Sequence, residues 1–206
     1  MEAKPPTDHD LDADLGREGI PDKGELNLAA SRTQWSKQIL IKRVLWGVVW
    51  TLLFRPSPRL FFDGFRCALL RAFGAKIGSG VKIANTVKVL YPWELEIGDG
   101  SWVGWNADIY NYARVKIGKQ AVVSQYSYLC TGTHDYTDPK FPLIFFPITI
   151  GDQAWVAADC FVAPGVTIGD GAIVASRSVV TKDQPAWMIC AGHPCKPIKE
   201  RPPIKN

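Results

Sequence analysis

From Ile150 to Val180 an aliphatic side chain returns at every sixth residue: Ile150, Val156, Val162, Ile168, Val174 and Val180. The residue after each is small or nearly so (Gly151, Ala157, Ala163, Gly169, Ala175, Thr181). The fourth after it is mostly small as well (Ala154, Cys160, Val166, Ala172, Ser178). A period of six fits neither the 3.6 of a helix nor a simple alternating strand. It fits a solenoid in which each hexad supplies one short flat face and one turn. The same ladder starts at Ile77 and runs through Ile83 and Val89. After two extra residues (Leu95, Glu96) come Ile97, Val103 and Ile109, and after two more (Val115, Lys116) come Ile117, Val123 and Leu129. Residues 135–149 then break the pattern before Ile150 resumes it. Fifteen hexads in five sets of three, interrupted only at set boundaries, predict an all-β solenoid over 75–185: a parallel β-helix of about five triangular coils. With strands ~4.8 Å apart, it would stand on the order of 20–25 Å tall.

The rest of the chain is organised around that body. Residues 1–34 are polar, rich in Asp, Pro and Gly, and without periodicity, so a flexible arm is expected. Residues 35–74 hold two dense apolar stretches separated by Pro56 and Pro58, the first too short to span a bilayer. Two readings stay open for this helical segment. It is a cap on the solenoid's open end, where strand edges need cover, or a Trp- and Arg-bearing face resting on a membrane. Residues 186–206 form a C-terminal tail.

Composition narrows function. The 206 residues carry a formal charge of +4, and the basic residues are scattered without interleaved aromatics, which argues against nucleic acid as a partner. Five cysteines without a CxxC pair point to reduced thiols. The start lacks the basic-then-apolar pattern of a secretory signal. A cytoplasmic protein is therefore expected, peripheral at the inner face of the membrane if the second helical reading holds.

Specific motifs stand on this frame: Cys130-Thr-Gly-Thr-His-Asp-Tyr136, the Phe-Pro-Ile-Thr-Ile-Gly stretch at 146–151, Ala-Trp-Val-Ala at 154–157, Val180-Thr-Lys-Asp183 and Ala191-Gly-His-Pro-Cys-Lys196. With these, residues 77–199 resemble the hexapeptide-repeat acyltransferases, and most closely the colanic-acid and exopolysaccharide sugar O-acetyltransferases. The resemblance implies a left-handed β-helix, a homotrimer with active sites between subunits, acetyl-CoA as co-substrate, a sugar-type acceptor and no metal.

Of three histidines, His9 lies in the arm and His193 in the tail, which leaves His134 alone on the body, where the ladder breaks into the long loop. Acetyl transfer from a thioester to a hydroxyl needs a base near neutral pH, and imidazole suits it. A purely structural histidine is the competing reading; the family's catalytic histidine, in the matching motif, favours catalysis. Such a base needs its other nitrogen held by an acceptor. Asp135, Asn111, Asp108 and a backbone carbonyl are the candidates, although Asp135 follows His134 directly and points to the opposite face of an extended chain. The family often has an acidic pair where Asn111-Tyr112 stands. Asn111, Asp108, Asp135 and Tyr136 are also the candidate acceptor-binding residues. The aromatic loop 135–149 is expected to be ordered, leaning over a neighbouring subunit's cleft.

The resemblance implies donor contacts at Trp155, Ala157, Ala158, Ala175, Ser176, Thr181, Lys182, Lys196 and Lys199. Small residues at 157, 158, 175 and 176 would let a pantetheine arm lie close, and the lysines would face nucleotide phosphates. The family often has a small apolar residue where Ser176 stands and Arg where Lys196 stands. No serine or cysteine has a recognisable nucleophile setting, so direct transfer is expected over an acyl-enzyme. Two other functions are weighed: N-acetylation of an amino sugar or small amine with the same fold, and a non-catalytic scaffold. A zinc carbonic anhydrase of this fold would need three histidines on the ladder, and only one is there.

Overall fold

The computed structural model describes residues 24–31 and 35–204. Its body is a three-sided prism of parallel strands. The fifteen ladder residues lie in three columns, five to a side. On the first sheet Ile77, Ile97, Ile117, Ile150 and Ile168 are in register. On the second are Ile83, Val103, Val123, Val156 and Val174. The third carries Val89, Ile109, Leu129, Val162 and Val180. All fifteen are buried, together with the small residues Ala107, Ala121, Ala154, Cys160 and Ala172 that stand four later in their hexads. Each side of the triangle thus sends one large and one small side chain inward, and the narrow interior has room for no more.

Glycine follows the ladder residue on the first sheet because coils touch at that edge. A Cβ on Gly98 would stand 2.7 Å from the Gly118 carbonyl carbon and 2.7 Å from Lys119 N, both backbone atoms that cannot give way. All the insertions fall on another edge, where the third sheet returns to the first. Residues 90–94, 111–114 and 131–147 stack there, and that edge grows from a short turn into an arm. The extra residues Leu95 and Val115 lengthen the strands of the first sheet (Leu95–Ile97, Val115–Ile117, Ile148–Ile150), and both are buried.

Helix α1 (Lys37–Val49) begins at Ser36, whose hydroxyl accepts the Ile39 N–H at 3.3 Å, and continues through a π-helical turn, Trp50–Phe54, up to Pro56. Its inward side chains Trp46 and Trp50 donate indole N–H groups to the carbonyls of Val89 (2.7 Å) and Val87 (2.8 Å). Helix α2 (Asp63–Ala72) lies on the first coil. Arg66, 0% exposed, donates to the carbonyls of Ile83 (2.7 Å) and Pro58 (2.7 Å), to Ser57 Oγ (3.1 Å) and to Asp63 Oδ1 (2.8 Å). Arg71 donates to the carbonyls of Ile77 (3.0 Å) and Gly78 (2.8 Å). These two arginines satisfy edge carbonyls of the first coil, and Arg66 is sealed from the surface.

At the other end the tail is a structured hairpin. Met188–Gly192 adds a parallel strand beside Ile173–Val174, and Cys195–Glu200 folds back antiparallel upon it. Part of the N-terminal arm is placed too. Its residues 1–23 and 32–34 lie outside the described residues, but 24–31 run against the long loop. The Asn27 N–H donates to the Pro139 carbonyl at 2.7 Å, and Ser31 Oγ to the Phe141 carbonyl at 3.4 Å. No helix among the described residues is long and apolar enough to cross a membrane.

Candidate active site

The enlarged edge carries His134. Residues 132–145 form a two-stranded antiparallel hairpin, Gly132–His134 against Leu143–Phe145, with His134 opposite Leu143. His134 is exposed, and its ring lies flat on that of Phe141, centroids 4.4 Å apart and planes 10° off parallel. His134 Nδ1 stands 2.8 Å from the Phe141 carbonyl oxygen. A carbonyl can only accept, so Nδ1 carries a proton, and in the neutral imidazole the lone pair is the one on Nε2. Phe141 itself sits in the left-handed region, φ 48°, which turns its carbonyl back toward the imidazole. Of the orienters open from the sequence, the backbone carbonyl is the one in place.

The side-chain candidates are engaged elsewhere. Asp135 Oδ1 accepts from Thr137 N (2.9 Å) and Thr137 Oγ1 (2.6 Å), closing the hairpin turn. Those donors hold its carboxyl below the usual range. Asn111 requires a correction. It is 0% exposed, its Oδ1 accepts the Tyr91 N–H at 3.0 Å, and its Nδ2 donates to the Tyr91 carbonyl at 2.7 Å. With its amide consumed between coils, it neither orients His134 nor reaches an acceptor. Asp108 faces Lys88 (3.8 Å) and lines a recess of about 350 Å³ between α1 and the third sheet, with Arg43, Trp46, Trp50 and Tyr110. Burial pushes the Asp108 carboxyl up, with Lys88 opposing. Beside it, burial and the neighbouring Tyr112 hydroxyl push the Tyr110 phenol up to about 12. Tyr136, 82% exposed, projects from the hairpin tip.

Around the hairpin base lies an aromatic cluster that sequence reasoning missed. Trp35 stacks on Tyr112 (5.3 Å, 13°) and meets Phe145 at 6.2 Å and Tyr91 at 5.9 Å. Tyr112 also sits against Gly132, where a Cβ would come within 3.0 Å of its ring. Nothing periodic links residue 35 to residues 112 and 145, so only tertiary structure reveals this packing. Phe141 was equally hidden, because its contribution is a carbonyl and a backbone angle.

The residues implied for the donor divide between two edges. Ala157, Ala158, Ala175 and Ser176 line the edge between the second and third sheets. Trp155 leans toward it, donating Nε1–H to Ser124 Oγ at 2.9 Å. The C-terminal hairpin docks there through Gly192 N–H to Ser178 Oγ (3.2 Å), which brings exposed Lys196 alongside; Lys199 lies further along the same strand. Thr181 and Lys182, both exposed, belong to His134's edge, one coil beyond Ala163. The third sheet separates the two edges, so one chain does not bring the first group to His134. Among the described residues no group of three or more His, Cys, Asp or Glu is placed to hold a metal ion.

A family model, bacterial transferase hexapeptide (six repeats), matches residues 147–182. WcaF of Escherichia coli (strain K12), provisionally named a colanic acid biosynthesis acetyltransferase, is 48% identical over 161 residues, spanning 78% of this chain and 88% of WcaF. The chain belongs to the hexapeptide-repeat acetyltransferases. The galactoside O-acetyltransferase of E. coli (strain K12) is 31% identical over 138 residues, covering 66% of this chain and 68% of that one. Among solved structures, a galactoside acetyltransferase in complex with coenzyme A superposes with TM-score 0.74 at 28% identity, covering 84% of this chain and 88% of that one. A hexapeptide-repeat acetyltransferase from Vibrio cholerae O1 biovar eltor, complexed with acetyl coenzyme A, shares the fold at TM-score 0.75 and 22% identity, covering 85% and 96%. The solenoid of this acetyltransferase is the left-handed parallel β-helix that the sequence resemblance implied.

Proposed function

We propose that this acetyltransferase moves the acetyl group of acetyl-CoA directly onto a sugar hydroxyl, in the building of a polysaccharide, with His134 as general base. The observation that carries the reading is the hydrogen bond from Nδ1–H to the Phe141 carbonyl, which in the neutral imidazole makes Nε2 the basic nitrogen. In the proposed reaction Nε2 takes the hydroxyl proton as the oxygen attacks the thioester carbonyl carbon. A backbone N–H steadies the tetrahedral oxyanion. The C–S bond then breaks, and the proton passes from the imidazolium to the departing thiolate, giving the acetyl ester and free CoA thiol.

The division of the donor residues between two edges supports a homotrimer. In it, the edge carrying Ala157, Ala158, Ala175 and Ser176 of one subunit faces the His134 edge of the next, and Asp135 and Tyr136 reach the acceptor from the hairpin. Coenzyme complexes of the similar proteins support acetyl-CoA as donor. The similarity to WcaF supports a polysaccharide acceptor. Five unpaired cysteines suit the reducing cytoplasm.

Thiol release from acetyl-CoA, followed across a panel of glycosides, nucleotide sugars, lipid-linked sugars and amino sugars, tests the reading. Turnover with a hydroxyl acceptor and an alkali-labile ester product is expected. Turnover confined to amino acceptors would replace it by N-acetylation, and failure to bind CoA would remove the donor assignment.

A further inference from the structure

Helix α1 is apolar on both sides, and only one side is covered. Trp46 and Phe54 are buried against the solenoid, whereas Leu40, Ile41, Val44, Leu45, Val48 and Leu52 project outward, Val44 being 67% exposed. A helix apolar all round has a partner on each face. The loop after it adds Leu60, Phe61 and Phe62. Phe61 is 96% exposed and held at φ 67°, a conformation that is unfavourable for an aromatic residue and here presents its ring to the outside.

Charge decides what covers this face. Residues 35–62 contain five basic side chains (Lys37, Lys42, Arg43, Arg55, Arg59) and no Asp or Glu. All five are exposed, and none forms an ion pair among the described residues. Three of them stack on aromatic rings around the apolar stripe: Lys42 lies over the Trp93 ring at 5.7 Å, Arg55 over Trp50 at 5.6 Å and Arg59 over Trp105 at 4.3 Å, while Arg43 lines the recess beneath α1. A second copy packed face to face would bring cations against cations, with no acid from residues 35–62 to pair them. Residues 1–23 offer seven acidic side chains but only Leu11, Leu15 and Ile20 as large aliphatic ones, which answers the charge and leaves the stripe uncovered. An apolar stripe rimmed by cations without an acid matches the interface of an anionic bilayer, acyl chains beneath negative headgroups.

We propose that the outer face of α1, with the Leu60–Phe62 loop, docks on an anionic membrane surface, the helix lying in its plane. The inference goes beyond the acetyl-transfer reading and does not depend on it. It has a functional consequence. Trp35, next to the start of α1, stacks on Tyr112 and meets Phe145, whose strand pairs with the strand ending in His134. Docking would therefore hold the His134 edge close to the lipid, where a lipid-borne acceptor is presented.

The test is co-sedimentation of the full chain with phosphatidylcholine vesicles, with and without about one-third phosphatidylglycerol. Wild type is expected to bind the anionic vesicles and to release in high salt. The Val44→Glu/Val48→Glu variant alters only exposed positions, and its circular dichroism and melting temperature are expected to match wild type. It should lose at least about tenfold in partitioning, and Lys37→Gln/Arg59→Gln about tenfold to thirtyfold. Three results would overturn the proposal: no binding by wild type, equal binding by the Glu variant, or a fall in the Glu variant's mass by light scattering, which would make the face a contact between copies. Thiol release with a water-soluble acceptor, unchanged in the Glu variant, keeps this test separate from that of the acetyl-transfer reading.

Discussion

Replacing Asn111 by Ala would remove two hydrogen bonds from the Tyr91 backbone at once, leaving the N–H without a partner while the carbonyl keeps the Glu94 N–H at 3.0 Å. Tyr91 is buried, and its N–H and C=O are bridged to the next coil by Asn111 Oδ1 and Nδ2 at 3.0 and 2.7 Å. The buried N–H left without a partner costs about 1–3 kcal/mol and the lost bond to the still-paired carbonyl about 0.5–1.5 kcal/mol, so the change costs about 1.5–4.5 kcal/mol. In a chain of this size that lowers the melting temperature by roughly 5–15 °C. Asn111→Asp adds a sign. Its carboxylate can still accept from the Tyr91 N–H but faces the Tyr91 carbonyl, so burial raises the folded-state pKa above the unfolded value. Stability is then greatest at acid pH, where the protonated oxygen can donate, and falls as pH rises through that window. Scanning calorimetry of the three proteins at one concentration, at pH 4 and pH 7, reads both effects; concentration must match because association shifts the midpoint. The acceptor KM of the remaining folded Asn111→Ala enzyme is expected to stay within about threefold of wild type, since the residue is sealed from the cleft. A variant that melts like wild type but loses acceptor affinity would refute the assignment and return Asn111 to the acceptor site.

Arg66→Met should destabilise by about 3–5 kcal/mol, because it leaves Asp63 and several buried carbonyls without their shared donor; urea unfolding followed by tryptophan fluorescence checks it. Asp108→Asn should raise the melting temperature at pH 7 and leave it unchanged near pH 3. Burial raises the folded-state pKa of this carboxyl, so its ionisation costs stability as pH climbs past the unfolded value, and below that value nothing remains to relieve. Phe141→Ala keeps the carbonyl that holds His134 but removes the stacked ring, and kcat should fall about tenfold through loss of imidazole positioning with little change in CoA affinity.

The β-helix was legible because its information is repeated: fifteen aliphatics at fixed spacing report the same contact fifteen times, and one slipped hexad would not hide it. The place of His134 followed from where that repetition stops. What the sequence could not show depended on single, non-repeated contacts. Asn111 looks like any polar turn residue until Tyr91 is placed 20 positions away on the preceding coil. The His134 orienter is a peptide oxygen, which has no letter in the sequence. The hairpin in the tail left no repeat to read, because Cys195–Glu200 is short and contains Pro197, acceptable in a strand at the sheet's edge. For α1 both sequence readings were partial: its apolar residues run all round, and only the packed structure shows which half is left over.

The most direct test of the account is His134→Ala in thiol-release kinetics with the best acceptor, paired with CoA affinity by calorimetry. A fall in kcat of about 10²–10⁴, with CoA affinity and melting temperature preserved, is the predicted result. A variant that keeps more than about a tenth of wild-type kcat would contradict a general base at Nε2, and with it the reading of the Phe141 carbonyl as its orienter.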